Sequence, residues 1–241
     1  MSEVNYRKFI IPSGLVLLNL VLKSWYLGSR DIAMDEPFSI FYAQTDMHTL
    51  FSMLKTENNP PLYFLLLHVW IGIFGISPIS ARFMSLIFSV LTALMIYMTG
   101  KKFFSQKVGV TACLIFSFSN YHMLFAHEAR VYSLFGLLTV ISMYIFLDMI
   151  RRGWPGSHTW LLGLTNLLLV YSHFFGFFVL FIQAISCLFI RESRKTILKR
   201  YFYILLVILI LYLPYFSVFL SRLWMSSLGG TWVSRPVISG L

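Results

Sequence analysis

The sequence predicts an all-α polytopic membrane protein, and three observations predict it. First, 58% of the residues are hydrophobic and only 12% are charged, about half the charged share of an ordinary soluble domain. Second, the mean hydropathy is +0.77, more apolar surface than a soluble core of 241 residues can hide. Third, apolar runs of span length recur along the chain with short basic clusters between them, the pattern of helices that cross a bilayer. The net charge of +10 belongs to the same pattern, because Lys and Arg accumulate in cytoplasmic loops; it does not call for nucleic acid as a partner. Cys113 and Cys187 sit inside apolar runs and read as small buried hydrophobes. There is no CxxC, no HExxH and no Gly-rich phosphate loop.

The elements follow in chain order. Arg7 and Lys8 precede "FIIPSGLVLLNLVL", which is built like a signal peptide but lacks a small-residue cleavage site, so residues 9–27 read as an uncleaved first span. Further apolar segments lie at 61–76, 82–100, 108–126, 130–150, 158–190 and 201–221. Twelve of the 19 basic residues fall in four short stretches. These are Arg7/Lys8, Lys101/Lys102/Lys107, Arg151/Arg152, and the group of Arg191, Arg194, Lys195, Lys199 and Arg200. The positive-inside rule places all four in the cytoplasm.

Parity then fixes the topology. An even number of crossings must separate the first cluster from the second, yet three apolar runs lie between them. The shortest, 61–76, begins after Pro60 and is assigned to the outer interface as a helix lying on the membrane. Residues 158–190 are too many for one ordinary helix and have basic flanks, so they split into two short helices meeting outside near Ser172 and His173. Seven spans result, with the N-terminus inside and the C-terminus outside, in a plasma (inner) membrane.

This topology sorts the acids. Asp31, Asp35, Glu36, Asp46, Glu57 and Glu128 all fall at the outer face, with "NNPP", Arg82, "HEARVY", His173 and the tail "GGTWVSRP". The outer loop, residues 28–81, predicts two short juxtamembrane helices. Pro37 suits a first helical position, with Asp35 or Glu36 as its cap. Phe38, Phe41 and Tyr42 are expected to line one face, and Leu50, Phe51 and Leu54 the face of a second helix after Asp46.

An ionisable group beside hydrocarbon is a functional hypothesis by default. In "MDEPF", one of Asp35 and Glu36 can cap a helix; the second has no capping duty and is left for a proton or a metal. The structural alternative makes both a cap and its dipole-favoured neighbour. "FAHEARVYSL" reads as a helix start, with Glu128 and Tyr132 at i,i+4 and His127 and Arg130 at i,i+3. The alternatives there are a local ion pair, or a second acidic site with Arg130 beside an anion. Arg82 either snorkels to headgroups or meets a phosphate, and His173 is a turn residue or a ligand. "HFFGFFVLF" faces lipid or core, or lines an isoprenoid groove.

In order and spacing, "MDEPFSIFYAQ", the stretch from "NNPPLYFLLLHVW" through "TGKKFF", "FAHEARVYSLFGLL" and "YSHFFGFFVLF" resemble the polyprenyl-phosphate-sugar glycosyltransferases of GT-C fold. These include the protein O-mannosyltransferases and the aminoarabinose transferases of lipid A. The likeness runs over residues 9–236. It implies sugar transfer from a polyprenyl-phosphate donor to a lipid, glycan or protein acceptor on the outer face, inverting the anomeric centre. By position, Asp35 resembles the general base, Glu36 its companion and Glu128 the second acid. The phosphate or donor would meet Arg82, Arg130, Asn59 and His173. Asn59 stands where those enzymes carry His or Lys before Pro-Pro. A divalent metal shared by Asp35 and Glu128 is compatible with this chemistry; no ligand spacing requires it. Relatives continue for several spans and often a soluble outer domain, so residues 1–241 are expected to correspond to a single N-terminal membrane domain. A sugar-lipid flippase or a non-catalytic membrane subunit are the other functions the sequence leaves open.

Overall fold

The computed structural model describes residues 7–29, 31–32, 35–190 and 194–227. The side chains of Arg7, Lys8 and Arg194, all of Arg191, and the tail "GGTWVSRP" lie outside the described residues. Everything regular among those described is helical. Eleven α-helices run in order: α1 Arg7–Ser24, α2 Glu36–Gln44, α3 Met47–Leu54, α4 Leu62–Phe74, α5 Pro78–Phe103, α6 Gln106–Ser117, α7 Asn120–Ala126, α8 Tyr132–Arg151, α9 Thr159–Ser172, α10 Gly176–Phe189 and α11 Arg194–Ser227.

The boundaries have local causes. Asp46 accepts from Thr49 N–H (3.0 Å) to open α3, Ser77 accepts from Ser80 N–H (3.0 Å) before Pro78 to open α5, and Ser105 accepts from Val108 N–H (3.2 Å) to open α6. Gly75 ends α4 at φ 72°, a left-handed conformation that favours glycine.

Among the described residues, three helices are long and apolar enough to cross a bilayer: Pro78–Phe103, Tyr132–Arg151 and Lys195–Met225. Helices α6 and α7, bent by 66° at their break, pass together as a fourth. The apolar helices Phe9–Ser24, Leu62–Phe74, Thr159–Ser172 and Gly176–Phe189 are shorter. At 14 residues, α9 and α10 are each about 21 Å long, less than the roughly 30 Å of hydrocarbon. The chain is thus an integral, all-α membrane protein, and seven crossings require α1, α9 and α10 to be counted beside these four. Residues 158–190 do split, with the break at His173–Phe175, where a Cβ on Gly176 would lie 2.8 Å from Leu169 O.

Helix α5 is the hub and packs against α1, α4, α6, α7 and α8. Its approach to α6 is close: a Cβ on Gly109 would stand 2.5 Å from Tyr97 O and 2.8 Å from Lys101 N. Small residues let backbones touch where lipid supplies no hydrophobic drive. Helices α8 to α11 share a buried polar network. Asn166 Nδ2 donates to Gln183 Oε1 (2.8 Å), Gln183 Nε2 to Ser142 Oγ (2.7 Å), Ser142 Oγ to Asn166 Oδ1, and Tyr201 Oη to Gln183 Oε1 (3.0 Å).

Basic residues from three of the four clusters gather at one end. Asp148 takes Lys102 Nζ at 2.6 Å and Arg152 Nε at 3.0 Å, Arg151 Nη1 donates to Lys102 O at 2.8 Å, and Arg200 Nη1 donates to Trp154 O. The outer loop forms the two short helices expected of it, and Phe38 and Phe41 share one face of α2, with Tyr42 partly buried at its edge. Phe38 and Phe41 are exposed, while Glu36, Ser39, Ile40 and Ala43 are buried. The pairing of Glu36, described below, selects this face and leaves the two aromatics outward. Leu50 and Leu54 of α3 are buried and Phe51 is exposed.

Replacing Gly109 by Ala should lower stability in detergent by about 1–3 kcal/mol, because the clash is with backbone that cannot rotate away. Gly136→Ala, with nothing within 4 Å, should leave the melting temperature unchanged or raise it. Thermal unfolding of the two variants checks both.

Candidate active site

Three segments converge at the end opposite the Asp148 cluster: the start of α2, the first turns of α5, and residues 127–131 between α7 and α8. Glu36 and Arg82 form their centre. Arg82 Nε donates to Glu36 Oε1 at 2.9 Å and Nη2 to Oε2 at 2.7 Å, with side chains 4% and 5% exposed. Ala129 N–H adds a third bond to Oε1 at 2.8 Å. The rest of the guanidinium is engaged too, Nη1 with Leu27 O (3.1 Å) and Nη2 with Asp31 O (2.9 Å). Paired and bonded this fully, a carboxylate and a guanidinium can both stay ionised out of water.

The capping expected at α2 is not made by a side chain. Asp35 occupies the cap position without a side-chain bond to the helix, and Glu36 turns to Arg82. That leaves Asp35 as the outward carboxylate, 58% exposed, with Oδ2 3.5 Å from Arg130 Nη2. Arg130 itself is buried, its Nη1 donating to Ser39 Oγ at 3.3 Å, and its Nε has no partner.

Glu128 and Arg130 do not start a helix. Residues 127–131 are a non-helical link, and α8 begins at Tyr132. The physical reason is the use of Ala129 N–H by Glu36, which takes that amide out of helical bonding. His127 is not Arg130's helical neighbour either; its Nε2 meets Lys23 O at 2.7 Å and ties the link to α1. Glu128 is half-buried, and burial, then the charges of Glu36 and Asp35, push its carboxyl above the ordinary range against the opposing pull of Arg130 and Arg82. Glu36, Asp35, Glu128, Arg130 and Arg82 therefore share one electrostatic environment.

His173 closes one wall. Its Nδ1 accepts from Phe175 N–H at 3.1 Å, which assigns the proton to Nε2, and its ring packs 5.0 Å from Phe135. Burial, then the charge of Arg130, hold its pKa down to about 4, so it is a neutral donor at physiological pH. Asn59 belongs to a different group: its Nδ2 donates to Glu57 Oε1 at 3.4 Å and its carbonyl accepts from Tyr215 Oη at 3.4 Å. Tyr42 lies between the two groups and feels both Glu57 and Arg130. Sequence reasoning missed Tyr63, fully buried, whose hydroxyl sits 3.0 Å from Ser85 Oγ and feels the charges of Glu36, Arg130 and Glu128. It also missed Ser39. Both lie in apolar stretches where nothing marks a single hydroxyl. Among the described residues, no group of three or more His, Cys, Asp or Glu is placed to hold a metal; Asp35 and Glu128 are the site's carboxylates outside the Glu36–Arg82 pair.

A bilayer protein with carboxylates and a buried guanidinium at one mouth has the parts for group transfer from a lipid-borne donor. Residues 58–219 match the family model of the dolichyl-phosphate-mannose-protein mannosyltransferases. The chain belongs to this family. The matched part of this mannosyltransferase-family protein holds Arg82, Glu128, Arg130, Asn59 and His173, and it begins after Asp35 and Glu36. No curated protein and no solved structure gave a match.

Two outcomes follow from this geometry. Glu36→Gln leaves Arg82 buried without its counter-charge and should cost about 3–5 kcal/mol, read as a fall in melting temperature. Glu128 acts with the opposite sign. Its folded pKa is raised, so its favourable contribution is complete below the unfolded carboxylate pKa and is lost as pH rises through the folded value. Glu128→Gln should therefore stabilise the protein at neutral pH and converge with wild type in acid, in melts recorded across pH.

Proposed function

We propose that this membrane glycosyltransferase moves a sugar from a polyprenyl-phosphate donor to an acceptor hydroxyl on the outer face of the membrane, with inversion. The single observation that carries the reading is the meeting of Asp35, Glu128 and Arg130 at one mouth. The lipid phosphate is already a good leaving group, so no glycosidase-like general acid is needed. Asp35 takes the acceptor's proton as its oxygen bonds to the anomeric carbon. The bond from that carbon to the phosphate oxygen breaks, and the phosphate leaves with the electron pair.

Arg130 is the group we assign to the departing phosphate, because its Nε is unpartnered and its fork is not spent on a bidentate carboxylate. Glu128 orients the acceptor. Glu36 and Arg82, bonded to each other, act as positioning residues that hold the 127–131 link against α5, and His173 is a neutral hydrogen-bond donor to the donor lipid. Asn59 bears on the acceptor side through Glu57. The outer location is supported by the basic residues gathered at the opposite end, which the positive-inside rule assigns to the cytoplasm.

Membranes carrying the protein, given radiolabelled polyprenyl-phosphate sugars, test the reading. Asp35→Asn should lower transfer by about a hundred- to ten-thousand-fold while leaving expression and insertion intact. Near-normal turnover in that variant would remove Asp35 from the role, and sugar-lipid movement without transfer would favour a flippase.

A further inference from the structure

Lys23 is fully buried near the end of α1. Its Nζ donates to Ser89 Oγ at 2.8 Å and Ser89 O at 3.3 Å and lies 4.4 Å from the centre of the Phe116 ring. Among the described residues no carboxylate pairs with it. A buried cation in a bilayer protein without a counter-charge is costly and calls for one.

The groups that screen it are the wall of a groove. Ser89, Phe116, His122, Phe135 and His173 belong to the lining of a cavity of about 540 Å³ between α5, α6, α7 and α8. The cavity surface is overwhelmingly apolar, with Ser89, Thr92, Ser133 and Thr139 among its lining residues. Ser89 Oγ accepts from the ammonium, so its own proton must turn to another acceptor, and the groove is where one can arrive. Ser89 stands one helical turn, about 6 Å, along α5 from Ser85, whose Oγ meets Tyr63 under the acidic mouth. The His127 bond to Lys23 O fixes the same turn of α1 to the residue before Glu128.

We propose that Lys23 and Ser89 form the anion-recognising wall of this groove and that its occupant is a polyprenyl phosphate. The isoprenoid chain lies along the aromatic wall, and the phosphate rests against Ser89 with Lys23 behind it. A free phosphate would waste the apolar wall, and an uncharged lipid would leave Lys23 unanswered. The assignment rests on the donor class of the proposed function and adds the residues that select its charge. Lys23 acts here through Ser89, as a positioning and specificity residue.

The test is binding, not turnover. Purified full-length protein in nanodiscs is titrated with a polyprenyl monophosphate and with the matching uncharged polyprenol. Wild type should prefer the phosphate. Lys23→Met, which removes a buried charge without removing its bulk, should lower that preference about tenfold, the scale of one charge-assisted hydrogen bond, with polyprenol binding unchanged. Ser89→Ala should lower it less, and Lys23→Arg should keep most of it. An undiminished preference in Lys23→Met overturns the inference while leaving the donor class standing. Equal loss of both lipids, not recovered by Lys23→Arg, assigns Lys23 to the fold and also overturns it. Wild type that binds polyprenyl phosphate no better than polyprenol overturns the donor class itself.

Discussion

The buried pair of Glu36 and Arg82 is the constraint on which the rest of the outer end depends. It joins two elements 46 residues apart in sequence, and Ala129 N–H draws in a third. Each group satisfies the other's charge, which is what allows either to be buried. The pair decides which face of α2 packs, and so why Asp35 points outward. It also removes an amide from helical bonding at 127–131, which lets Glu128 and Arg130 project from a link. One interaction thus sets the orientation of the three groups to which catalysis is assigned.

The opposite end is built from different chemistry for a related purpose. Asp148 receives Lys102 and Arg152, so α5 is tied by an ion pair at each end, to α2 at one and to α8 at the other. The Asp148 cluster is more exposed than the Glu36 pair, and exposed pairs contribute little to stability. Its value is in register: it keeps the C-terminal ends of α5 and α8 level. Between the clamps, α5 contacts α6 backbone to backbone through Gly100 and Gly109, and the Ser142–Asn166–Gln183–Tyr201 network holds α8 to α11. The length of α5 between the clamps is therefore held in place, and the groove lies along it.

Much of this was legible in the sequence. The all-helical class, the break near His173, the short helices after Pro37 and Asp46, and the gathering of acids at one end all follow from hydropathy, capping residues and charge, which act locally. What escaped was set by contacts distant in sequence. Nothing within "MDEPF" says that Glu36 will find Arg82, so the buried face of α2 could not be read. Nothing within "HEARVY" says that Ala129 will spend its amide on Glu36, so a helix was expected where there is a link. Tyr63 and Lys23 were invisible for a further reason. One sits in an apolar run, the other near the end of the first span, and only the fold shows that each is enclosed.

The charge balance of the mouth ties these features together. Asp35, Glu36 and Glu128 face Arg82 and Arg130, three acids against two bases, and the environment already resists ionisation of Glu128. A lipid phosphate arriving there would add negative charge to a site that already has an excess of it. Arg82 cannot answer it, since its donors are occupied by Glu36, Leu27 O and Asp31 O. The excess can be met in two ways: a proton held by Glu128, or a cation recruited from the far wall. Lys23, behind Ser89, is placed for the second, and a phosphate drawn toward Ser89 would keep its charge away from Asp35. The carboxylate that accepts the proton would then not have to compete with the anion that departs.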